Sequence, residues 1–252
     1  MIEIENVSHS EGRAAILHDL SLRIPAGGVT ALIGPNGAGK STLLSLVARL
    51  RRLQAGRIAV DGLDVGATPT ERLALKLAIL RQDTGLSSRL QVRDLVGFGR
   101  FPHHRGRPRP EDAEAVEAAL LRFDLGDLAG RFVDSLSGGQ RQRALTAMAF
   151  AQGTDWLLLD EPLNNLDMRH ARALMGRLRE AADGDGRSVL VVLHDINHAA
   201  AHADRIVALK DGRVFAEGAP EEIMRSDLLE ALYDMPVAVH QIEGRPFAAH
   251  HI

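Results

Sequence analysis

Apolar and polar positions change rhythm along the chain, and each change marks an element. Ile2 to Val7 alternates apolar and polar, as a half-buried strand does. Ile16 to Ile24 (ILHDLSLRI) predicts a second strand, turned by Pro25-Ala26-Gly27-Gly28. Val29 to Ile33 is apolar but for Thr30, the pattern of a strand buried on both faces. A helix is expected from Lys40 to Leu50, a short strand between Gly56 and Gly62, a helix from Pro69 to Leu77, and a strand from Ala78 to Arg81.

The middle of the chain has a different character. From about Thr84 to Leu136 the strand signals stop. Val92 to Phe98 reads as helix, and Phe101 to Pro110 (FPHHRGRPRP) as a polar, proline-rich loop. Glu111 to Phe123 places Ala113, Val116, Leu120 and Phe123 on one helical face. This stretch, 84–136, is expected to be an inserted helical subdomain within a single domain spanning 1–252, with 1–83 and 137–252 forming the core. Apolar strands then resume at Trp156 to Leu159 and Ser188 to Leu193, flanked by helices at Gly139 to Ala151, Met168 to Ala182 and Ile196 to Ala203. Alternating strands and helices predict an α/β fold with a mostly parallel sheet. Arg205 to Leu209 and Arg213 to Ala216 predict a hairpin at Asp211-Gly212. Two short helices within Glu221 to Tyr233, and a last hairpin turning at Glu243-Gly244, complete the expectation.

Composition narrows the class. Thirty Lys and Arg stand against 33 Asp and Glu, a net charge of −3, so bulk positive charge is not the basis of nucleic-acid binding. The absence of Cys excludes a disulfide framework and thiolate metal sites, and fits a reducing compartment. No apolar run approaches the roughly 18 residues needed to span a bilayer. The opening MIEIENVSHS lacks a basic region followed by an apolar one, so no secretion signal is expected.

The chemistry centres on ALIGPNGAGKST, residues 31–42. Gly34-x-x-x-x-Gly39-Lys40-Ser41 joins a predicted strand to a predicted helix, the pattern of a phosphate-binding loop. Glycines at 34, 37 and 39 let successive N–H groups curl inward around an anion. The helix from Lys40 presents its positive end to the same phosphates. Lys40 adds a point charge, and the Ser41 hydroxyl suits Mg²⁺. The protein is therefore expected to bind a nucleoside triphosphate. Leu157-Leu158-Leu159-Asp160-Glu161-Pro162 delivers two carboxylates at the end of a buried strand. Neighbours on a strand point opposite ways, so Asp160 is placed to hold Mg²⁺ and Glu161 to polarise an attacking water. Leu136-Ser137-Gly138-Gly139-Gln140 precedes a helix, with Ser137 as a candidate N-cap and the glycines freeing N–H groups for an anion. One nucleotide needs one phosphate cradle. A second glycine-rich anion site is most economically explained as serving the nucleotide of a second copy.

GPNGAGKST, LSGGQRQR, LLLDEP, Asn165-Leu166-Asp167 and His194, in this order and spacing, resemble the nucleotide-binding subunit of an ATP-binding cassette transporter over essentially the whole chain. The resemblance implies a P-loop NTPase core with an antiparallel β subdomain in its N-terminal part and an inserted α-helical subdomain. It implies an ATPase acting as a head-to-tail homodimer that sandwiches two ATP molecules, each loop facing the partner's LSGGQ. Gly34, Pro35, Asn36, Gly37, Ala38, Gly39, Lys40, Ser41 and Thr42 would hold the phosphates. Ser41, Gln82 and Asp160 would serve Mg²⁺, with Gln82 also sensing the membrane partner. Glu161 would be the general base, with His194 on the terminal phosphate. Asp167 would cross the dimer interface, and Ser137, Gly138, Gly139 and Gln140 would serve the opposite copy's ATP. The family commonly has an aromatic residue stacking on adenine shortly after the first strand. Here Glu11 stands where it is expected, within Ser8-His9-Ser10-Glu11-Gly12, with His9 as a possible substitute.

A free-standing cassette with a helical insertion looks like an importer subunit. It would pair with two membrane permease chains, and indirectly with an extracytoplasmic substrate-binding protein, at the cytoplasmic face of the inner membrane. GRFPHHRGR, DEPLNNLDMRH, VVLHDINHAAAHADRIVALKDGRV, EGAPEEIM and YDMPVAVHQIEG resemble the iron-siderophore group, closest to the ferric catecholate-type uptake ATPases. Haem, cobalamin or another metal chelate is the alternative cargo. The other class of reading, a soluble cassette acting on nucleic acid, is disfavoured by the charge balance and the lack of coiled-coil heptads. His194, His198 and His202 are spaced along one helical face, but a metal site is the lesser reading, since His194 has the phosphate role. His103-His104 and His250-His251 are expected to be exposed polar positions.

Overall fold

The computed structural model describes residues 1–81 and 89–249. Its strands, in chain order, are β1 (Ile2–Glu11), β2 (Ala14–Ile24), β3 (Gly28–Ile33), β4 (Ala55–Val60), β5 (Leu63–Asp64), β6 (Leu77–Leu80), β7 (Trp156–Asp160), β8 (Ser188–Val192), β9 (Arg205–Lys210), β10 (Arg213–Gly218), β11 (Ala238–Ile242) and β12 (Arg245–Ala249). The helices are α1 (Lys40–Val47), α2 (Thr70–Leu73), α3 (Val92–Phe98), α4 (Phe101–His104), α5 (Pro110–Arg122), α6 (Gly138–Ala151), α7 (Met168–Gly184), α8 (Ile196–His202), α9 (Pro220–Ile223) and α10 (Ser226–Tyr233). Two compact units emerge, one of residues 1–68 with 188–252, the other of 69–187.

The first unit holds an antiparallel sheet in the order β2-β1-β4-β5. It also holds the parallel strands β8, β3 and β9, with β10 returning antiparallel to β9. Both the parallel core and the antiparallel N-terminal sheet agree with the sequence expectation. Every residue of β8, and all of β3 after Gly28, is buried, as a strand covered on both faces requires. The register pairs Leu32 with Val192, and the Leu193 N–H donates to the Leu32 carbonyl at 3.0 Å. The chain therefore leaves β3 for the phosphate loop, and β8 for His194, at the same carboxyl edge. That edge is where open α/β sheets bind ligands.

In the second unit β6 and β7 run parallel, Leu77 opposite Trp156 and Leu80 opposite Leu159. Helices α3, α5 and α6 pack on one another around Phe123, Leu95 and Leu120. A buried ion pair fixes the cluster. Arg100 Nε donates to Asp112 Oδ1 at 3.0 Å, and the same guanidinium donates to the Ala151 carbonyl at 3.0 Å. The Arg109 backbone N–H, then Arg100, hold the Asp112 carboxyl below the usual carboxylate range. Phe150 is covered by the guanidinium of Arg187 at 3.9 Å and by that of Arg122 at 4.7 Å.

Several boundaries differ from expectation for local reasons. The helix predicted to reach Leu50 stops at Val47, because Arg49 turns left-handed (φ 56°) and the Leu50 N–H folds back to the Ser45 carbonyl at 2.8 Å. The helix predicted over Pro69 to Leu77 makes one turn, since Leu77 pairs with Trp156 in the sheet. The proline-rich loop opens with the short helix α4, with Pro102 in its first turn, ended by left-handed Arg105.

His9 lies in β1 opposite Leu17 and is only 6% exposed. Burial first, and then the charge of Arg51, lower its pKa from 6.5. A depressed histidine stabilises the fold above pH 6.5 and withdraws that contribution as pH falls through the folded pKa. Melting temperature measured from pH 7.5 to 5 is expected to fall less steeply in His9→Leu than in the parent. Parallel curves would contradict this account.

Candidate functional site

The phosphate loop begins where β3 ends. Gly34 has φ 138°, and a Cβ placed on it would stand 2.0 Å from the Leu209 carbonyl oxygen of β9. Gly39, the N-cap of α1 with φ 94°, would bring a Cβ to 2.5 Å from Leu17 Cδ2. Gly37 differs. Its φ is 81°, but a Cβ there meets nothing within 4 Å, so conformation alone demands glycine. Asn36 and Gly37 are exposed at the loop tip, while Ala38, Gly39 and Lys40 are buried.

Helix α1 starts without a side-chain cap or an acidic residue in its first turn. Its leading N–H groups and positive dipole end suit a bound anion. Lys40 is 5% exposed, and its ammonium donates to the Gly34 carbonyl at 2.8 Å and the Pro35 carbonyl at 2.9 Å. Ser41 and Thr42 follow on the same turn, half-buried.

In the second unit β7 ends at Asp160, which is 6% exposed. Glu161 lies past the strand end in a left-handed conformation, φ 50°, and is buried. Strand alternation therefore does not govern this pair, because the backbone turns left-handed at Glu161. Asn164 donates from Nδ2 to Glu161 Oε2 at 2.7 Å, and its N–H reaches the Glu161 carbonyl at 3.3 Å. Sequence reading missed Asn164; the signal available was an amide three residues after the candidate base.

Ser137 caps α6. Its Oγ accepts from the Gln140 N–H at 3.3 Å while Gln140 Oε1 accepts from the Ser137 N–H at 3.0 Å, a reciprocal capping box. Ser137 and Gly138 are exposed, and Gly139 sits tightly against Leu166, where an added Cβ would lie 3.3 Å from Leu166 Cδ2. Asp167 caps α7, accepting from the His170 N–H and from the His170 ring, each at 2.8 Å. The backbone bond, then the ring bond, hold its carboxyl below the usual range. Beside it Met168 is 90% exposed.

His194 sits on the bend between β8 and α8, off the helix and exposed. His198 and His202 stack on each other with centroids 6.1 Å apart. Among the described residues there is no group of three or more His, Asp or Glu that could hold a metal ion. Nor, among those residues, is any helix long and apolar enough to cross a membrane. Gln82 and His250-His251 lie outside the described residues. At the expected base-stacking position Glu11 ion-pairs with Arg51, and the burial of His9 removes its ring from that role.

A glycine-built phosphate loop at the carboxyl edge of a parallel sheet defines a nucleoside-triphosphate-binding protein. The chain belongs to the ABC transporter family, whose model matches residues 17–164, and it is an ATP-binding ATPase of that family. It is 45% identical over 245 residues to the petrobactin import ATP-binding protein YclP of Bacillus subtilis, covering 97% of each chain. It is 39% identical over 233 residues to the ferric enterobactin transport ATP-binding protein FepC of Escherichia coli, covering 92% of this chain and 86% of that one. Among solved structures it resembles the dimeric post-hydrolysis cassette MJ0796 bound to ADP and Pi, with TM-score 0.80 and 29% identity over 87% of this chain and 99% of that one.

The loop glycines predict a graded response. Gly37→Ala should cost about 1–3 kcal/mol, from left-handed strain alone. Gly34→Ala should cost more, because a methyl group cannot occupy a point 2.0 Å from the Leu209 oxygen. Urea unfolding of the nucleotide-free chain measures both, and equal losses would refute the contact argument.

Proposed function

We propose that this chain is the ATP-hydrolysing subunit of a bacterial importer, coupling ATP binding and hydrolysis to uptake of an iron-siderophore complex. One observation carries the reading: a complete phosphate loop and an exposed, capped LSGGQ helix occur in a chain whose near full-length relatives serve petrobactin import and ferric enterobactin transport. The chain works as a head-to-tail homodimer beneath two membrane permease chains, at the cytoplasmic face of the inner membrane, supplied by an extracytoplasmic binding protein. Nucleic acid is not a partner. Exposed Phe98 and Phe101 on the helical segment give the permease an apolar contact.

In this reading the backbone N–H groups from Asn36 to Ser41, Thr42 and the Lys40 ammonium hold the phosphates. The oxygen donors Ser41 and buried Asp160, with Gln82, fit Mg²⁺, a hard cation that prefers such ligands. Bound Mg²⁺ would neutralise charge developing on the phosphate oxygens. Glu161 accepts a proton from the attacking water, and Asn164 holds its carboxylate in place. His194 contacts the terminal phosphate. Ser137, Gly138, Gly139 and Gln140 meet the partner copy's nucleotide, and the Asp167–Met168 corner lies at the dimer contact.

Three measurements test this. Glu161→Gln should lose turnover by at least about 100-fold while trapping an ATP-bound dimer, because binding is kept and the base is lost. Turnover near the parent rate would remove the base assignment. Lys40→Ala should weaken ATP binding itself, read by nucleotide titration, and unchanged affinity would count against the loop. A deletion strain offered a panel of iron chelates should lose uptake of a siderophore complex; normal uptake of every iron chelate would overturn the cargo.

A further inference from the structure

We infer that the C-terminal segment, through the Tyr233 hydroxyl and the Asn197 amide, holds His194 in register with the phosphate loop, so that both side chains are positioning residues for hydrolysis. The inference rests on the role given to His194 above.

Tyr233 closes α10. Its ring, with His194, Ile196, Met235 and Val237, walls a cavity of about 80 Å³. That volume accommodates water, which needs roughly 10–15 Å³ of such space and polar partners. The Tyr233 hydroxyl and the His194 ring would supply those partners. The hydroxyl is buried without a full hydrogen bond, and the groups acting on it are the backbone of Gly34 and the carboxylate of Asp195. One phenol thus stands beside the first residue of the phosphate loop and beside the bend that carries His194. Burial pushes its pKa up to about 12, so it remains a neutral hydroxyl at any working pH. Packing alone would be served by phenylalanine, since a hydroxyl buried with unmet hydrogen bonding costs stability.

The helix that carries Tyr233 is itself anchored. Leu229 and Leu232 are fully buried, Lys210 Nζ donates to the Ala231 carbonyl at 2.5 Å and to Asp234 at 2.7 Å, and Ser226 Oγ accepts from the Val239 N–H at 2.9 Å. The other side of the His194 bend is clamped separately. Asn197 Nδ2 donates to the Ala248 carbonyl at 3.1 Å, and Asn197 Oδ1 accepts from the Ala248 N–H at 2.8 Å. The two-point amide bond joins α8 to β12 in the way one strand joins another. Asp195 caps the start of α8 between the clamp and the histidine, accepting from the Asn197 N–H at 2.8 Å. The bend therefore has a hydrogen-bonded clamp on the Asn197 side and the Tyr233 ring lining a shared cavity on the other, both from the last quarter of the chain.

The test is steady-state ATP turnover of the full-length chain in Tyr233→Phe, Asn197→Ala, His194→Ala and the double variant of Tyr233 and His194. Tyr233→Phe should lower kcat about fivefold with KM for ATP unchanged within about twofold, and with the melting temperature equal or higher. The same change in the His194→Ala background should have no further effect, because the hydroxyl acts through that histidine. Asn197→Ala should also lower kcat at unchanged KM. Full kcat in Tyr233→Phe, or the same fivefold loss without His194, would overturn the inference alone. Parent-level kcat in His194→Ala would instead remove the role of His194, and this inference with it.

Discussion

The structure depends first on one close approach between backbones. β9 lies parallel to β3, and its Leu209 carbonyl comes so near Gly34 that no side chain fits. The chain must then leave β3 in a conformation only glycine adopts freely. That turn places the Gly34 and Pro35 carbonyls where the Lys40 ammonium can donate to both. A buried ammonium is costly unless partnered, and the two carbonyls accept two of its hydrogen bonds. The ammonium is thereby held at the loop that an anion would enter. Packing of two strands, a glycine, a lysine position and the affinity for phosphate form one causal line.

A second line runs through stored strain. Glu161 is held left-handed, a conformation that typically costs a non-glycine residue about 1–3 kcal/mol. Asn164 answers it with a side-chain bond to the carboxylate and a main-chain bond to the carbonyl. A carboxylate fixed in this way loses little further freedom when it acts. The Ser137–Gln140 box does the same for the LSGGQ turn: each residue satisfies the other's N–H, so the exposed glycine N–H edge is set before any ligand arrives. Gln140 thus has a structural task that the family resemblance alone did not suggest.

Much of this was legible from residue order. The apolar runs of β3, β7 and β8 marked the buried strands to within one residue, because strands covered on both faces are nearly continuous apolar runs. The loop, the carboxylate pair and LSGGQ stood out since each needs residue types that packing alone would not choose. What failed to show were side-chain contacts distant in sequence. Nothing in the local pattern says that Asn197 grips Ala248, or that Tyr233 and His194 line one cavity. Helix ends were misjudged at Leu50 and Leu77 for a related reason: a left-handed arginine stopped one, and a strand partner claimed the other.

The contrast between the two ends of the nucleotide site explains how binding is distributed. At the phosphate end Gly34, Gly39 and Lys40 are buried, and contacts with Leu209 and Leu17 fix the conformation at the two glycines. At the expected base end, Glu11 and Arg51 form an ion pair with both side chains almost half exposed. Exposed pairs contribute at most about 1 kcal/mol, and they offer no flat apolar face. His9, the remaining ring in that stretch, is enclosed between strands. In the proposed reading, with no aromatic platform in that stretch, the phosphates supply most of the affinity. That reading places the energetic weight on the loop that the Leu209 carbonyl shapes. A site weighted in this way is sensitive to whether a terminal phosphate is present, which is the difference an ATP-driven machine has to read.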